Sequence, residues 1–198
     1  MSKALKKFLI VTGSRAEYGL LRLLIEGLNK SKKVNCKLIV TGMHLSKEYG
    51  LTVKEIKKDN FTIDKEIEML LNVDSPSGIA KSIGVGILGF ADAFKEINPD
   101  LVIVLGDRYE LLAACISAMT ANIPIAHIHG GEITQGCIDD AIRHSITKMS
   151  HLHFVANKKY KKRVIQLGES EDRVFCVGGL GIDNIKNLKL MDLKTLEE

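Results

Sequence analysis

Short apolar runs alternate along the chain with longer stretches in which apolar residues recur every three or four positions. The short runs predict buried β-strands, and the three-to-four spacing predicts amphipathic helices. Strands are expected at residues 8–12, 36–41, 62–69, 101–105, 123–128, 152–156 and 173–177. Helices are expected at residues 18–29, 46–58, 79–97, 111–121, 139–149 and 158–167. This repeated alternation predicts an α/β fold with a doubly wound, parallel sheet of about seven strands.

Polar and ionisable residues concentrate where the predicted strands end. In a doubly wound sheet, ligands bind beyond the carboxyl ends of the strands, so these segments would meet at one edge. The sequence therefore predicts a ligand site built from the segments that follow the strands, which are residues 13–19, 42–44, 106–110, 129–132 and 139–144.

Composition narrows the class of protein. The chain has 198 residues, of which 45% are hydrophobic and 26% charged, so it can bury a core and is not a disordered chain. The net charge of +4 permits an anionic ligand, but the absence of tryptophan and an aromatic content of 5% leave little for stacking nucleic-acid bases. No apolar run approaches 18 residues and no leader pattern precedes the first strand, so we expect no membrane segment and a cytoplasmic protein.

Two glycine-rich stretches carry different predictions. Residues 84–89 spell G-x-G-x-x-G, but they lie inside a predicted helix, so close helix packing is expected there rather than a dinucleotide. Residues 13–19 do join a strand to a helix, which offers backbone N–H groups to an anion. Arg15 in this turn suits a phosphate group, and a surface pair with Glu17 is the alternative. No cofactor is expected.

Asp107 and Arg108 directly follow the most apolar strand. A carboxylate in this place is either a desolvated acid or base, or the N-cap of the next helix. Arg108 gives a second candidate contact to phosphate.

His127 and His129 share one face of a strand, and with Glu132 they form an alternative metal site. H-x-H alone is a weak signal, so no metal ion is expected, and His127 is expected in the core. The glycines that follow, Gly130 and Gly131, suggest a backbone held close to a ligand.

Two helices carry clustered charge. Spacing of four places Asp139 beside Arg143 and Asp140 beside His144, which either stabilises the helix or presents a carboxylate held by an arginine to the pocket. The basic cluster at residues 158–163 is expected to be a solvated helix face, with RNA binding as the lesser alternative.

Taken together, five segments resemble the hydrolysing UDP-N-acetylglucosamine 2-epimerases of sialic-acid and legionaminic-acid synthesis. The resemblance extends to about Asp183 and implies a Rossmann-like domain that forms the N-terminal half of a two-domain fold of the glycosyltransferase-B type. We accordingly expect a UDP-sugar-binding domain over residues 1–180 and the start of an interdomain linker over 181–198, with the C-terminal domain absent. The resembling segments are residues 11–19, 40–44, 105–108, 127–132 and 139–148.

The resemblance also implies a reaction. UDP is eliminated from UDP-N-acetylglucosamine to leave 2-acetamidoglucal, and water then adds to give N-acetylmannosamine. Paired carboxylates suit this chemistry because their surroundings can separate their pKa values. The family implies a homodimer or homotetramer, and it implies that this chain turns over little or no substrate by itself.

Site residues follow from the resemblance position by position. Catalytic roles fall on Asp107 and Asp139. The family often has a glutamate where this chain has His129, so His129 itself or Glu132 is expected to take over that role, and the acid and the base are not assigned among the four. Some members have a serine where this chain has Gly19. The expected substrate contacts are Arg15, Gly19, His44, Arg108, Arg143 and His144.

Several alternatives stay open. The substrate is either UDP-N-acetylglucosamine or a UDP-2,4-diacetamido-trideoxy-hexose of the legionaminic-acid pathway. A non-hydrolysing 2-epimerase is the enzymatic runner-up, and a non-catalytic nucleotide-binding domain is the alternative outside enzymes.

Overall fold

The computed structural model describes residues 4–71 and 75–187. Its seven strands form one sheet in the order β3-β2-β1-β4-β5-β6-β7, and every neighbouring pair is parallel. This confirms the predicted doubly wound α/β sheet. The strands are β1 (Lys6–Thr12), β2 (Val34–Thr41), β3 (Lys65–Ile67), β4 (Leu101–Leu105), β5 (Ile125–Ile128), β6 (Leu152–Val155) and β7 (Val174–Cys176).

Helices cover both faces of the sheet. Alternate residues of β1 point to opposite faces: Leu9 packs in the layer under α3, α4 and α5, and Ile10 packs in the layer under α1 and α2. Both layers are apolar, so the central strands are buried on both sides, as their unbroken apolar runs predict. The helices are α1 (Arg15–Lys30), α2 (Val53–Lys58), α3 (Pro76–Ile97), α4 (Tyr109–Thr120), α5 (Ile138–Met149), α6 (Lys158–Gln166) and α7 (Leu180–Asn187).

The connection between β2 and β3 differs from the sequence prediction. A helix was expected over residues 46–58, but only Val53–Lys58 is helical. Gly50 and Leu51 have φ values of +84° and +49°, and two successive left-handed residues cannot continue a right-handed helix. A short 3₁₀ turn at Gly42–Leu45 takes up part of the remaining chain.

The strand order places the predicted ligand edge at a topological switch point. β1 pairs with β2 on one side and with β4 on the other, so the chain changes direction across the sheet at β1. The loops that follow β1, β4 and β5 therefore lie side by side at the carboxyl edge, where a ligand crevice opens in such sheets.

Helix α3 contains the G-x-G-x-x-G stretch. A Cβ on Gly86 would lie 2.8 Å from Met69 Cε, and a Cβ on Gly89 would lie 2.6 Å from Ile67 Cγ2. These glycines permit close packing, as predicted. Within the described ranges, α3 is also the one helix that is long and apolar enough to cross a membrane, judged by length and composition alone, and a helix packed in a protein core meets the same two criteria. Its Phe90 and Phe94 are buried in the core beside the sheet.

The end of the described chain returns to α1. Asn184 of α7 donates a hydrogen bond of 2.7 Å to the carbonyl oxygen of Gly19. Helix α7 covers the first part of the expected linker at 181–198, and residues 188–198 lie outside the described residues. The domain boundary at residue 180 stays a prediction.

Candidate active site at the carboxyl edge of the sheet

Asp107 and Arg143 form an ion pair at this edge. Asp107 follows β4, and the Nη2 atom of Arg143 on α5 donates to its Oδ2 atom. The Arg143 side chain is only 8% exposed. Helix spacing instead favoured Asp139 as the partner of Arg143, a pairing that sequence distance alone cannot distinguish from a contact across the fold. The N-cap of α4 is Arg108, so the N-cap alternative for Asp107 is wrong.

The surroundings of Asp107 act in opposite directions on its pKa. Burial raises the pKa above the ordinary value of an aspartate, and the Arg143 guanidinium lowers it. The nearby charge of Asp139 raises it again. The pKa of Asp107 is thus raised mainly by burial, and the charges of two other predicted site residues, Arg143 and Asp139, modify it in opposite directions.

His129 occupies a strained position directly after β5. Its φ of +65° lies in the left-handed region, which is costly for a residue with a side chain. Its Nδ1 atom lies 3.4 Å from Oε1 of Glu132, and its Nε2 atom is buried without a partner. Backbone strain together with an unpaired buried nitrogen is typical of a functional residue.

The two glycines after His129 make room for neighbouring protein groups. Gly131 has a φ of +78°, and a Cβ there would lie 2.6 Å from the Tyr160 carbonyl oxygen on α6. A Cβ on Gly130 would lie 3.1 Å from Nδ1 of His127. Both glycines thus have a packing role, and the approach of this backbone to a ligand stays a prediction.

His127 is fully buried, as predicted for a core histidine. Both of its nitrogens are engaged, with Thr147 Oγ1 at 3.1 Å and the Gly106 carbonyl oxygen at 2.8 Å. Neither nitrogen is free for the H-x-H metal alternative. Within residues 4–71 and 75–187, no three His, Cys, Asp or Glu side chains are grouped to hold a metal ion.

Helix α5 brings further polar groups to the same edge. Asp140 accepts a hydrogen bond of 3.0 Å from the Thr134 backbone N–H, and its Oδ2 atom lies 3.7 Å from His144 Nε2, as the spacing predicts. The Nδ1 atom of His144 is buried without a partner. Asp139 lies one position earlier, in the first turn of the helix.

Unpaired polar atoms concentrate at this edge. Six buried side-chain nitrogen and oxygen atoms of the described residues have no hydrogen-bond partner, and four of them belong to His129, Arg143 and His144. The Arg143 atoms are Nε and Nη1, so this guanidinium holds Asp107 while two of its nitrogens remain unpaired. Because buried polar atoms are nearly always paired, this concentration indicates a site for a polar ligand.

The loop after β1 differs from its prediction. The backbone N–H groups of Gly13 and Ser14, expected to be free for phosphate, both donate to Oε2 of Glu17, at 2.7 and 3.1 Å. Glu17 also completes a capping box with Ser14. Arg15 therefore does not pair with Glu17, and its Nε atom lies 3.1 Å from Glu55 Oε1 instead, with 74% of its side chain exposed.

Two other predicted substrate contacts, His44 and Gly19, are not among the residues with unpaired buried side-chain atoms. His44 is fully buried, its Nε2 atom lies 3.1 Å from Thr12 Oγ1, and its Nδ1 atom lies 2.8 Å from Thr52 Oγ1. Burial lowers the pKa of His44 to about 4, so it is a neutral residue behind the loop. Gly19 is exposed on α1 with open space around it, so a serine would fit there.

Two buried carboxyl groups, those of Glu17 and Glu110, lie behind the loop that follows β1, and the sequence reasoning missed this pair. Glu110 is fully buried and accepts a hydrogen bond of 2.8 Å from Nη2 of Arg108, the second predicted phosphate contact. Burial raises the pKa of Glu17 to about 8, and the Glu110 charge adds to this effect. The available signal was an acidic residue in the first turn of each of two helices that begin at the ligand edge.

Replacing Glu17 by glutamine is expected to stabilise the protein at pH 8 but not at pH 5. The unfolded carboxyl ionises near pH 4.5 while the folded one keeps its proton to about pH 8, so the stability of the original protein falls across this window. Glutamine keeps the capping box and removes the titration, which gives a gain of about 2 kcal/mol at pH 8. Urea unfolding measures this, with the exposed Glu26→Gln on the same helix as control. Equal pH dependence in Glu17→Gln and the original protein would contradict it.

Comparison with known proteins shows which proteins this chain is similar to. A sequence model described as UDP-N-acetylglucosamine 2-epimerase matches residues 26–198. The chain is 48% identical over all of its 198 residues to a "GDP/UDP-N,N'-diacetylbacillosamine 2-epimerase (hydrolyzing)" of Campylobacter jejuni, and covers 51% of that protein. It is 47% identical over 193 residues to "Polysialic acid biosynthesis protein P7" of Escherichia coli, where 98% of this chain covers 49% of that one.

A solved structure shows the same fold. The UDP-GlcNAc 2-epimerase of Neisseria meningitidis bound to UDP-GlcNAc superposes with a TM-score of 0.80 at 24% identity, over 96% of this chain and 52% of that one. This chain thus spans about half the length of the relatives it matches.

Proposed function

Because this chain belongs to the UDP-N-acetylglucosamine 2-epimerase family, we propose that it forms the acid–base edge of the active site of a hydrolysing 2-epimerase. The observation that carries the proposal is the set of unpaired buried atoms on His129, Arg143 and His144, next to the ion pair of Asp107. A polar sugar and its diphosphate would satisfy such atoms.

The reaction requires proton transfer at C2 of the sugar. In the elimination, a base takes the C2 proton, a double bond forms between C1 and C2, and the bond from C1 to the phosphate oxygen breaks to release UDP. In the second step, water adds its oxygen to C1 and a proton returns to C2 on the opposite face. Two groups with separated proton affinities suit this sequence.

The two groups that the geometry offers are Asp107 and the pair of His129 and Glu132. Arg143 favours the ionised form of Asp107, which can accept a proton. His129 has an unpaired nitrogen, and its other nitrogen faces a carboxylate that orients the ring. Asp139 contributes through its negative charge, which raises the pKa of the nearby Asp107. Arg15 is exposed and would reach the diphosphate by exchanging its contact with Glu55, and Arg108 would reach it by exchanging its contact with Glu110.

A 2-acetamido sugar carried by UDP is the proposed substrate, and the assembly is proposed as a homodimer or homotetramer. UDP-N-acetylglucosamine is the first candidate. A UDP-2,4-diacetamido-trideoxy-hexose is the second, which the name of the Campylobacter jejuni relative favours. The second sugar carries an acetamido group at C4 in place of the hydroxyl of the first, and it lacks one further hydroxyl.

Product analysis tests the proposal. We define the two-domain form as this chain joined to the part of the Campylobacter jejuni relative that it does not match. NMR spectra in deuterated water, with each UDP-sugar, are expected to show free UDP and a product with deuterium at C2. An epimerised sugar still attached to UDP would indicate the non-hydrolysing reaction. Absence of deuterium at C2 with both sugars would contradict 2-epimerisation, and the chain alone, expected to bind UDP weakly, is the reference.

A further inference from the structure

His127 contacts two elements that carry the acid–base edge, although it lies outside the edge itself. Its Nε2 atom is 2.8 Å from the carbonyl oxygen of Gly106, in the peptide group that joins Gly106 to Asp107. Its Nδ1 atom is 3.1 Å from Thr147 Oγ1, which lies 3.0 Å from the carbonyl oxygen of Arg143. One imidazole ring thus connects the loop of Asp107 with the helix of Arg143.

We propose that His127 is a positioning residue that holds Asp107 and Arg143 in register for proton transfer. The proposal deepens the proposed function and rests on it for the meaning of the ion pair. Asp107 and Arg143 are 36 positions apart and belong to different elements, so their contact depends on how the β4 loop sits against α5.

The hydrogen bonds fix both the tautomer of His127 and the orientation of the peptide before Asp107. A carbonyl oxygen only accepts, so the proton of the neutral ring is on Nε2, and Nδ1 accepts from the Thr147 hydroxyl. The hydroxyl has one hydrogen, so it does not then donate to the Arg143 carbonyl, and the connection to α5 runs through Thr147 itself, one turn after Arg143. The donor at Nε2 acts on a flexible point, because Gly106 has a φ of +91° and no side chain to restrain it.

The His127 ring is neutral in its position close to Arg143. Burial lowers the pKa of His127 to about 3, so the ring adds no positive charge close to Arg143 at ordinary pH. The absence of a side chain on Gly130 also matters, since a Cβ there would lie 3.1 Å from Nδ1 of His127 and 3.2 Å from Thr147 Oγ1. The histidine and the threonine therefore pack directly beneath the loop that carries His129.

Three substitutions separate the contacts of His127. The shorter asparagine reaches only as far as Nδ1, so His127→Asn loses the donor for the Gly106 carbonyl. Thr147→Val, which keeps the shape and removes the hydroxyl, breaks the connection to α5 alone. Thr147→Ser keeps the hydroxyl and is the matched control.

The readout is the pKa of Asp107, measured by ¹³C NMR of its carboxyl carbon in the 198-residue chain. His127→Asn and Thr147→Val are expected to raise it by about 1 unit, because a looser Arg143 contact lowers it less. Thr147→Ser is expected to keep it within about 0.3 units. An unchanged pKa in Thr147→Val, or a rise in Thr147→Ser equal to that in Thr147→Val, would overturn the proposal. If His127→Asn fails to fold, Thr147→Val against Thr147→Ser decides.

This measurement is independent of turnover, so it distinguishes failure of the positioning role from failure of the proposed function. If the pKa shifts appear but the two-domain form shows no 2-epimerase activity, the positioning stands and the proposed function falls. Where activity is present, His127→Asn is expected to lower kcat about 10-fold to 100-fold with KM nearly unchanged. If the activity of His127→Asn falls only because less of the protein is folded, and the pKa of Asp107 is unchanged, the positioning role of His127 is contradicted.

Discussion

Replacing Asp107 by asparagine in the two-domain form is expected to lower kcat about 1000-fold. Asparagine has the shape of aspartate and still offers an oxygen to Arg143, but it cannot accept a proton at the pH of the reaction. The predicted loss is therefore in the chemical step, and the affinity for UDP, measured by calorimetry, should change little.

Asp100→Asn is the matched control for this substitution. Asp100 stands at the opposite end of the same strand, where its Oδ1 atom accepts from Lys6 Nζ at 2.5 Å. Its loss is expected to leave kcat within about twofold, because exposed ion pairs contribute little. If Asp107→Asn keeps more than a tenth of the original kcat, Asp107 is not the proton-transfer group and the role passes to Asp139, Glu132 or His129.

Much of the fold could be predicted because the signal for it is local. The run at 101–105 is apolar at every position and forms β4 with those bounds. The failure over residues 46–52 is physical, since left-handed residues at Gly50 and Leu51 interrupt the chain and Leu51 carries no sequence signal for that conformation. Helical spacing describes neighbours on one surface only, and the actual partner of a residue is often on another element.

The prediction of the candidate site from sequence was limited in the same way as the prediction of the fold. Sequence placed Asp107, His129 and Arg143 at one edge, because each follows a strand in the predicted order. It did not show that Arg143 pairs with Asp107, nor that Glu17 takes the N–H groups of Gly13 and Ser14. The first contact joins two elements and forms only when the β4 loop packs against α5. The second is local, and its available signal was the S-x-x-E spacing of Ser14 and Glu17, which predicts a capping box.

Replacing His129 by glycine is expected to stabilise the protein while nearly abolishing activity. A left-handed residue with a side chain costs of the order of 1–3 kcal/mol, and glycine adopts that conformation without this strain. Part of the gain is offset by the greater freedom of glycine in the unfolded chain, so a net gain of about 1 kcal/mol is expected in urea unfolding. The same change removes the nitrogen that faces Glu132 and the unpaired Nε2 atom, and kcat should fall about 100-fold or more.

Asn122→Gly separates strain from function. Asn122 has nearly the same φ, +57°, and is exposed in the turn between α4 and β5, away from the candidate site. Because asparagine tolerates this conformation better than histidine, the gain in stability should be smaller, and kcat should be unchanged. If both variants gain stability but only His129→Gly loses activity, the strained histidine is retained for its chemistry. If His129→Gly instead lowers both stability and activity, the ring supports the loop through its packing and the catalytic proposal for it is wrong.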